Sequence, residues 1–228
     1  MNQADLEKKV IELEQELERA RAYQEIQNLF GRYMYLHEAG KHRDCADLFA
    51  RNSPGVSVEF HQMGLFKEAA GIRKLYEGTL DGNKKELPGF LIQHTLTTPV
   101  IEVAGDGKTA KGIWISPGHE TMVGRDGKPE ASWMWGKYAL DFIKENGQWK
   151  IWHYQVFMTF VCPFDKPWTD PAATPDRPPM LNADGPTTYY KPYRVNAVPE
   201  YWPAPPVPYA TFEGSRSMVG APPPGFEV

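Results

Sequence analysis

The stretch 24–40 has the apolar periodicity of an amphipathic helix, yet three residues on or beside its apolar stripe are polar. They are Tyr33, His37 and Glu38. Burying a phenol, an imidazole and a carboxylate is unfavourable unless each finds a hydrogen-bond partner or lines a cavity. We therefore expect this helix to form one wall of a polar-lined interior, with the other elements of the chain enclosing it.

The order of the remaining patterns predicts an α+β fold. Helical patterns cover 5–21, 24–40, 44–50 and 67–77, and an alternating pattern over 56–61 predicts a short strand. Long strands are predicted at 90–103, 109–116, 132–144 and 149–160, the last two joined by the turn Glu145-Asn146-Gly147. Helices followed by a run of long strands indicate helices gathered on one side of a curved antiparallel sheet.

Proline divides the chain into unlike parts. Of the 21 prolines, 16 lie after Cys162, which predicts an extended, turn-rich arm. The same arm carries ten aromatic residues, and disordered tails are usually poor in these. We expect a helical extension at 1–22, an α+β domain at 23–162, and an ordered Pro/aromatic-rich arm at 163–228. The arm would lie over its own barrel or that of a neighbour and cover the mouth of a pocket.

The helical extension carries a narrow apolar stripe made of Leu6, Val10, Leu13 and Leu17. Two heptads are too short to form a coiled coil alone, so we expect the extension to pack on a neighbouring subunit. The sequence leaves a homodimer and a homotrimer open.

Composition excludes several classes of protein. The net charge of −4 provides no basic surface for nucleic acid, and no apolar run reaches membrane-spanning length. With a polar start to the chain, we expect a cytoplasmic protein. Cys45 and Cys162 are far apart and are expected to be reduced and buried. No metal or cofactor is expected, because the six histidines form no HxH or HExxH motif and no GxGxxG or Walker A motif is present.

Four segments within 24–159 resemble the SnoaL-like branch of the nuclear transport factor 2-like superfamily. They are GRYMYLHEAGKHRDCADLF, AAGIRKLYEG, HTLTTPVIEVAGDGKTAKG and WGKYALDFIKENGQWKIWH. The resemblance implies a cone-shaped α+β barrel whose helices pack on the concave side of the sheet. It does not imply one reaction, because this fold hosts dehydratases, isomerases, cyclases, lyases and proteins that only bind.

The resemblance also implies site residues. Bile acid 7α-dehydratases carry a helix Tyr, an Asp five residues later, and a His on the following long strand. These positions match Tyr33, Glu38 and His94, with Glu standing where those enzymes have Asp. Scytalone dehydratase-like enzymes also place Tyr, Asp and His groups around a deep pocket without metal or cofactor. Diarylpropane lyases, which release formaldehyde from aromatic diols, are similar in architecture.

Other candidates come from the strand patterns. His153 on the last strand is predicted either to face His94 across the barrel as a second acid or base, or to be a satisfied core histidine. Trp114 and Tyr138 are predicted to form the pocket wall. His61, beside Glu59, lies either on a solvated strand face or at the barrel mouth, where it would contact the substrate. His37 points either into or out of the helix–sheet interface and ranks below Glu38 as a substrate-binding candidate.

These residues predict a cofactor-independent lyase acting on a hydrophobic aromatic or polycyclic alcohol, from which it removes water or formaldehyde. Tyr33 would hydrogen-bond the substrate oxygen, His94 would move the proton, and Glu38 would orient His94. One alternative is an isomerase or hydrolase with Glu38 as the base. Another is a non-catalytic binding or self-assembly module, which a barrel interior filled by Trp and Tyr would favour.

Overall fold

The computed structural model describes residues 2–60, 63–81, 88–123, 126–170 and 182–226. The helices are α1 (Gln3–Glu38), α2 (His42–Ala46) and α3 (Glu68–Arg73), which continues as a π-helical segment (Lys74–Leu80). The strands are β1 (Ser57–Phe60), β2 (Gly64–Lys67), β3 (Leu91–His94), β4 (Thr97–Val103), β5 (Thr109–Val123), β6 (Pro129–Glu145) and β7 (Gln148–Pro163). None of these described helices is both long and apolar enough to cross a membrane.

Helix α1 joins the two helical segments predicted at 5–21 and 24–40 into one. It begins with a capping box, in which Asn2 and Asp5 each accept a hydrogen bond from the backbone of the other. It ends before Gly40, whose φ of 64° suits a residue without a side chain. Its buried face recurs mostly at three- and four-residue steps and consists of Ala22, Ile26, Phe30, Tyr33, Met34 and His37.

The seven strands form one sheet in the order β2-β1-β7-β6-β5-β3, with β4 also paired to β5. This confirms the predicted α+β fold with a curved sheet. The sheet is mixed rather than wholly antiparallel, because β1 lies parallel to β7 while the other pairs are antiparallel. The short strand β2 was not predicted.

The strand predicted over 90–103 is broken into β3 and β4. Its pairing with β5 shifts between Thr97 and Val100, and Thr98 takes a φ of 47°. Pro99 lies inside this shift and has no N–H to donate to a neighbouring strand, which accounts for an irregularity there. As a result β3 and β4 pair with different parts of the long strand β5, and β3 reaches the far end of the sheet.

The sheet is covered on both sides. We call the side packed against α1 the helix face, and the opposite side the arm face. The helix-face core includes Phe30, Tyr33, Trp114, Tyr138 and Tyr154. On the arm face, a smaller cluster joins sheet residues to the described part of the C-terminal arm, 182–226; its members are Ile113, Ala139, Phe157, Met218, Tyr189 and Trp202.

Three buried polar side chains of the sheet bind this arm. Glu59 accepts hydrogen bonds from the backbone N–H of Thr188 at 2.7 Å and from the hydroxyl groups of Thr187 and Thr188. Gln155 Oε1 accepts from the N–H of Gly220 at 2.6 Å. The arm therefore lies over its own sheet. The expectation of a solvated strand face is wrong for Glu59. Its side chain does point away from the helix-face core, but the arm covers it there.

Asp141 is the third anchor and is fully buried. Its Oδ1 accepts from the N–H of Met218 at 3.0 Å, and its Oδ2 accepts from the hydroxyl of Ser217. A buried carboxylate with several donors is stable where an unpaired one would not be. These bonds hold the described part of the arm on the arm face, and Ala183 and Tyr190 of the arm also pack against the helix-face core.

We predict that Glu59→Gln lowers the free energy of unfolding by about 1.5–3 kcal/mol, because the amide places an N–H₂ group among donors that need an acceptor. Urea unfolding measures this change. Glu130→Gln, the same substitution at an exposed position of β6, is the control and should change stability by less than about 0.5 kcal/mol. Equal losses in the two variants would contradict the anchoring role of Glu59.

Candidate functional site

His94 lies at the end of β3, where it is held by carboxylates from two elements. Its backbone N–H donates to Glu38 Oε1 at 3.0 Å, which ties β3 to the C-terminal end of α1. Its ring Nε2 lies 3.0 Å from Glu120 Oε1 of β5. This second contact has the distance of an ion pair but not the angle of a hydrogen bond, and it is an ion pair only when His94 is protonated. The predicted pairing of Glu38 with His94 is therefore present through the backbone rather than the ring.

Gly118 provides the space for the His94 ring. The two residues are cross-strand partners on β5 and β3. A Cβ on Gly118 would lie 2.7 Å from His94 Cδ2 and within about 3 Å of two backbone carbonyl oxygens, closer than packed carbon atoms approach. A side chain at this position would therefore displace the imidazole from its place beside Glu120.

Tyr138 lies beside this pair on the helix face. Its ring centroid is 6.4 Å from that of His94, and its cross-strand partner is Trp114, whose ring lies 4.6 Å from Phe30. Burial, with Glu120 and Glu38 nearby, raises the pKa of Tyr138 above its ordinary value of 10. The phenol therefore stays protonated and can donate a hydrogen bond. Trp114 and Tyr138 both lie on the helix face as buried side chains packed against other rings, and their role as a pocket wall stays a prediction.

Tyr33 is fully buried and its hydroxyl lies 2.7 Å from that of Tyr76. Burial and the neighbouring tyrosine raise the pKa of Tyr33 well above 10. His37 stacks on Tyr33 at 5.9 Å and lies 5.6 Å from His94, so it connects the two by ring contacts. Of the predicted residues, the structure thus brings Tyr33, His37, Glu38, His94 and Tyr138 to one region of the helix face.

His153 does not join them, so the expected position of His153 across the barrel from His94 is wrong. A register shift between Asp141 and Phe142 on β6 adds one residue to β7, which leaves Ile151 and Tyr154 in the helix-face core and places His153 on the other side. There its Nδ1 lies 2.8 Å from Asp141 Oδ2, and its ring stacks on Trp152 at 4.3 Å. His61, the remaining candidate, lies outside the described residues.

Glu120 is the site residue that sequence patterns failed to assign. The alternation of β5 contains the signal: Trp114, Ser116, Gly118 and Glu120 occupy successive positions of one strand face. The sequence does not reveal the register between β3 and β5. That register sets Gly118 opposite His94 and so brings Glu120 close to the imidazole. In the described ranges, no group of three His, Cys, Asp or Glu side chains is arranged to hold a metal ion.

Aromatic rings fill the helix-face interior behind His94. The Tyr33 centroid lies 5.5 Å from Phe30 and 5.4 Å from Tyr154, and Tyr138 lies 5.8 Å from Tyr154. Such distances are those of packed aromatic pairs. His94 and Glu120 retain 8% and 16% side-chain exposure, so the pair lies at the boundary between this apolar interior and solvent.

The family of SnoaL-like domains matches residues 18–155 of the chain. Among solved structures, the hexachlorocyclohexane dehydrochlorinase LinA-type3 from Novosphingobium barchaimii LL02 is similar, with 14% identity, a TM-score of 0.54, and coverage of 67% of this chain and 96% of that one. A protein described as a candidate scytalone dehydratase from Novosphingobium aromaticivorans DSM 12444 has 14% identity, a TM-score of 0.54, and coverage of 73% and 98%. A comparison with curated proteins found no match.

His37 predicts a pH dependence of stability. Burial, with His94 and His42 nearby, lowers its pKa well below the ordinary 6.5. Between that lowered pKa and 6.5 the unfolded chain binds a proton that the folded chain does not, so folding loses up to about 1.4 kcal/mol per pH unit as pH falls below 6.5. Above 6.5 this contribution is flat.

We predict that His37→Gln reduces the loss of stability between pH 7 and pH 5, measured by urea unfolding at each pH. His119→Gln, at an exposed position, should leave the slope of stability against pH unchanged. A slope in the His37 variant equal to that of the wild type would show that other groups cause the acid sensitivity.

Proposed function

The chain belongs to the SnoaL-like domain family, and on that premise we propose that it is a cofactor-independent lyase whose acid–base pair is His94 and Glu120. The observation that carries this proposal is the 3.0 Å contact between His94 Nε2 and Glu120 Oε1 at the edge of an aromatic interior. A histidine beside a carboxylate can take and return a proton near neutral pH. Both side chains remain partly accessible to a substrate.

The proposed reaction is the elimination of water from an alcohol. His94 Nδ1, the ring nitrogen that does not face Glu120, takes a proton from the carbon next to the carbon that bears the hydroxyl group. The electron pair of that C–H bond forms the new double bond, the C–O bond breaks, and the proton returns from His94 to the departing oxygen. Water and an alkene are the products, and no oxidant or reductant is needed.

Each neighbouring residue has a distinct role in this proposal. Glu120 stabilises the imidazolium that forms when His94 takes the proton, as an adjacent carboxylate does in general. Glu38 and Gly118 position His94 through its backbone N–H and the space under its ring. Tyr138 donates a hydrogen bond to the departing oxygen, because its raised pKa keeps it protonated. Tyr33, whose hydroxyl is engaged with Tyr76, supports α1 rather than contacting the substrate.

A hydrophobic aromatic alcohol is the substrate class that fits the surroundings. Tyr138 lies beside His94 and Trp114 is its cross-strand partner, and a poorly hydrated site strengthens each hydrogen bond to the reacting oxygen. The names of two structural neighbours, a dehydrochlorinase and a candidate dehydratase, denote eliminations. They support the reaction class but not a substrate. The same pair could instead serve the release of formaldehyde from an aromatic diol, by cleavage of a carbon–carbon bond.

A non-catalytic binding protein is the second candidate, and one observation favours it. The helix-face interior is filled by rings, among them Phe30, Tyr33 and Tyr154 in mutual contact. A substrate would therefore have to bind at the edge of the interior or displace side chains. A protein that only binds would show saturable binding of a hydrophobic ligand without turnover.

We predict that His94→Gln and Glu120→Gln each lower turnover by about 100-fold or more, the usual effect of losing a general acid–base group. The assay uses a panel of aromatic 1,2-diols and β-hydroxy carbonyl compounds, with products identified by mass spectrometry. His119→Gln is the matched control, since His119 is the exposed neighbour of Glu120 on the other side of β5.

The product mass separates the alternatives. A product lighter by one water supports dehydration, one lighter by formaldehyde supports carbon–carbon cleavage, and a product of unchanged mass indicates an isomerase. If His94→Gln and Glu120→Gln turn over an identified substrate as fast as the wild type, the assignment of the pair is wrong. Binding without turnover across the panel would favour the non-catalytic candidate.

A further inference from the structure

A cavity of about 570 Å³ lies on the arm face, between strands β6 and β7 and the C-terminal arm. Lys137, Phe157, Met158 and Thr159 line it from the sheet, and Tyr189 to Arg194, Ala197 to Glu200 and Trp202 line it from the arm. Its volume is within the range of about 300–1,000 Å³ typical of small-molecule sites. His94 and Glu120 do not line it, and the sheet separates them from it.

The lining combines flat apolar rings with a lysine that lacks a counter-charge. Phe157 and Tyr189 lie 5.9 Å apart. Glu200 is already engaged by Lys191 Nζ at 2.6 Å and by the hydroxyl of Tyr189. In the described part of the chain, Lys137 forms no ion pair. Burial lowers the pKa of Lys137, with desolvation as the cause. An anion beside the ammonium group would stabilise its charge and so offset this loss of hydration.

We propose that this cavity binds a small aromatic carboxylate, with its ring against Phe157 and Tyr189 and its carboxylate on Lys137. A single uncompensated ammonium group matches a monoanion, and several aromatic side chains of the lining match a planar ring. This site is separate from the proposed lyase site, because residues of β6 that point to the arm face cannot reach the helix face. It would stand even if the lyase proposal failed.

The test uses 4-hydroxybenzoate and its uncharged analogue 4-hydroxybenzamide as probes, with affinities measured by isothermal titration calorimetry. We expect the full-length protein to bind the acid at least about tenfold more tightly than the amide. Lys137→Met should remove this preference, and Lys137→Arg should keep it. Lys128→Met, at an exposed lysine paired with Asp126, is the control and should bind both probes as the wild type does.

Several results would overturn the proposal. They are no binding of the acid by the wild type, equal affinity for acid and amide, or full preference for the acid in Lys137→Met. A loss of binding in His94→Gln with none in Lys137→Met would place the ligand on the helix face instead. Circular dichroism of Lys137→Met confirms folding, and the charge-retaining Lys137→Arg decides the result if the Met variant does not fold.

The first half of α1 carries an independent feature, an apolar stripe with no cover. Leu6, Val10, Leu13 and Leu17 are 46–54% exposed, although their spacing is that of a coiled-coil seam. In heptad positions, Leu6 and Leu13 are d residues, and Val10 and Leu17 are a residues. A β-branched a residue with Leu at d favours two parallel strands over three or four.

The flanking charges indicate the orientation of the second helix. In a parallel, in-register pair, Lys9 faces Glu14 of the partner subunit and Glu16 faces Arg21 of the partner subunit, so both flanking contacts join opposite charges. An antiparallel pair would join like charges, Glu7 and Glu14 of the partner subunit, as well as opposite charges, Lys9 and Glu16 of the partner subunit, so its flanking contacts are less favourable than those of the parallel pair. We infer that a second copy of this chain covers the stripe as a parallel two-stranded coiled coil.

Glu14→Lys decides the orientation. In the parallel pair this substitution sets a positive charge against Lys9 at both symmetry-related contacts, so it should weaken dimerisation about tenfold or more, measured as a dissociation constant by analytical ultracentrifugation. In an antiparallel pair the same change would strengthen association. Adding Lys9→Glu to Glu14→Lys should restore the wild-type affinity. Glu18→Lys, the same substitution at the outward b position, is the control.

A wild-type chain that stays monomeric would overturn this inference, as would tighter association of Glu14→Lys or equal effects of Glu14→Lys and Glu18→Lys. A trimer that dissociates in Leu13→Lys would show that the stripe associates but in a different stoichiometry, which also contradicts the two-stranded pairing. All these substitutions fall on exposed helix positions and leave the core of the domain intact.

Discussion

Polar side chains buried in the middle of the sheet impose the main constraint on this fold. Glu59, Asp141 and Gln155 lie at 3% exposure or less on the arm face, where an unpaired charge or amide would be strongly unfavourable. The arm satisfies them with the backbone N–H groups of Thr188, Met218 and Gly220 and with the hydroxyl groups of Thr187, Thr188 and Ser217. A segment with little regular secondary structure thereby becomes part of the core. Without the arm, Glu59 would lose its hydrogen bonds to Thr187 and Thr188, and Asp141 would keep only its contact with His153.

The same rule operates on the helix face with a different result. There His37 is buried with its Nδ1 unpaired, and it stays neutral because burial and neighbouring imidazoles lower its pKa. His94, by contrast, has a carboxylate at its ring and another at its backbone N–H. The two histidines are 5.6 Å apart, and of these two only His94 has a carboxylate within ion-pair distance of its ring. This difference in surroundings is the reason that His94, and not His37, belongs to the proposed acid–base pair.

The elements that follow from local patterns were predictable, and those that depend on register were not. Helix α1, the strands β5 to β7 and the position of Trp114 and Tyr138 on one side of the sheet follow from periodicity and turn residues. The position of His153 depends on one register shift in β7, which reverses the faces of the residues that follow it up to a second shift, opposite Trp135 and Gly136. Glu120 depends on the pairing of β3 with β5, and Glu59 on an arm more than 120 residues away. No local pattern encodes these long-range pairings.

Strand β6 connects the two sides of the molecule. Because successive residues of a strand point to opposite faces, Lys137 lines the arm-face cavity while Tyr138, the next residue, lies beside His94. Further along the same strand, Ala139 contacts the arm-face cluster, and Asp141 holds the arm itself. A ligand that orders the arm against β6 would therefore act on the strand that also positions Tyr138. The arm is an integral layer of the structure, and only the thickness of strand β6 separates it from Tyr138 beside the proposed lyase site.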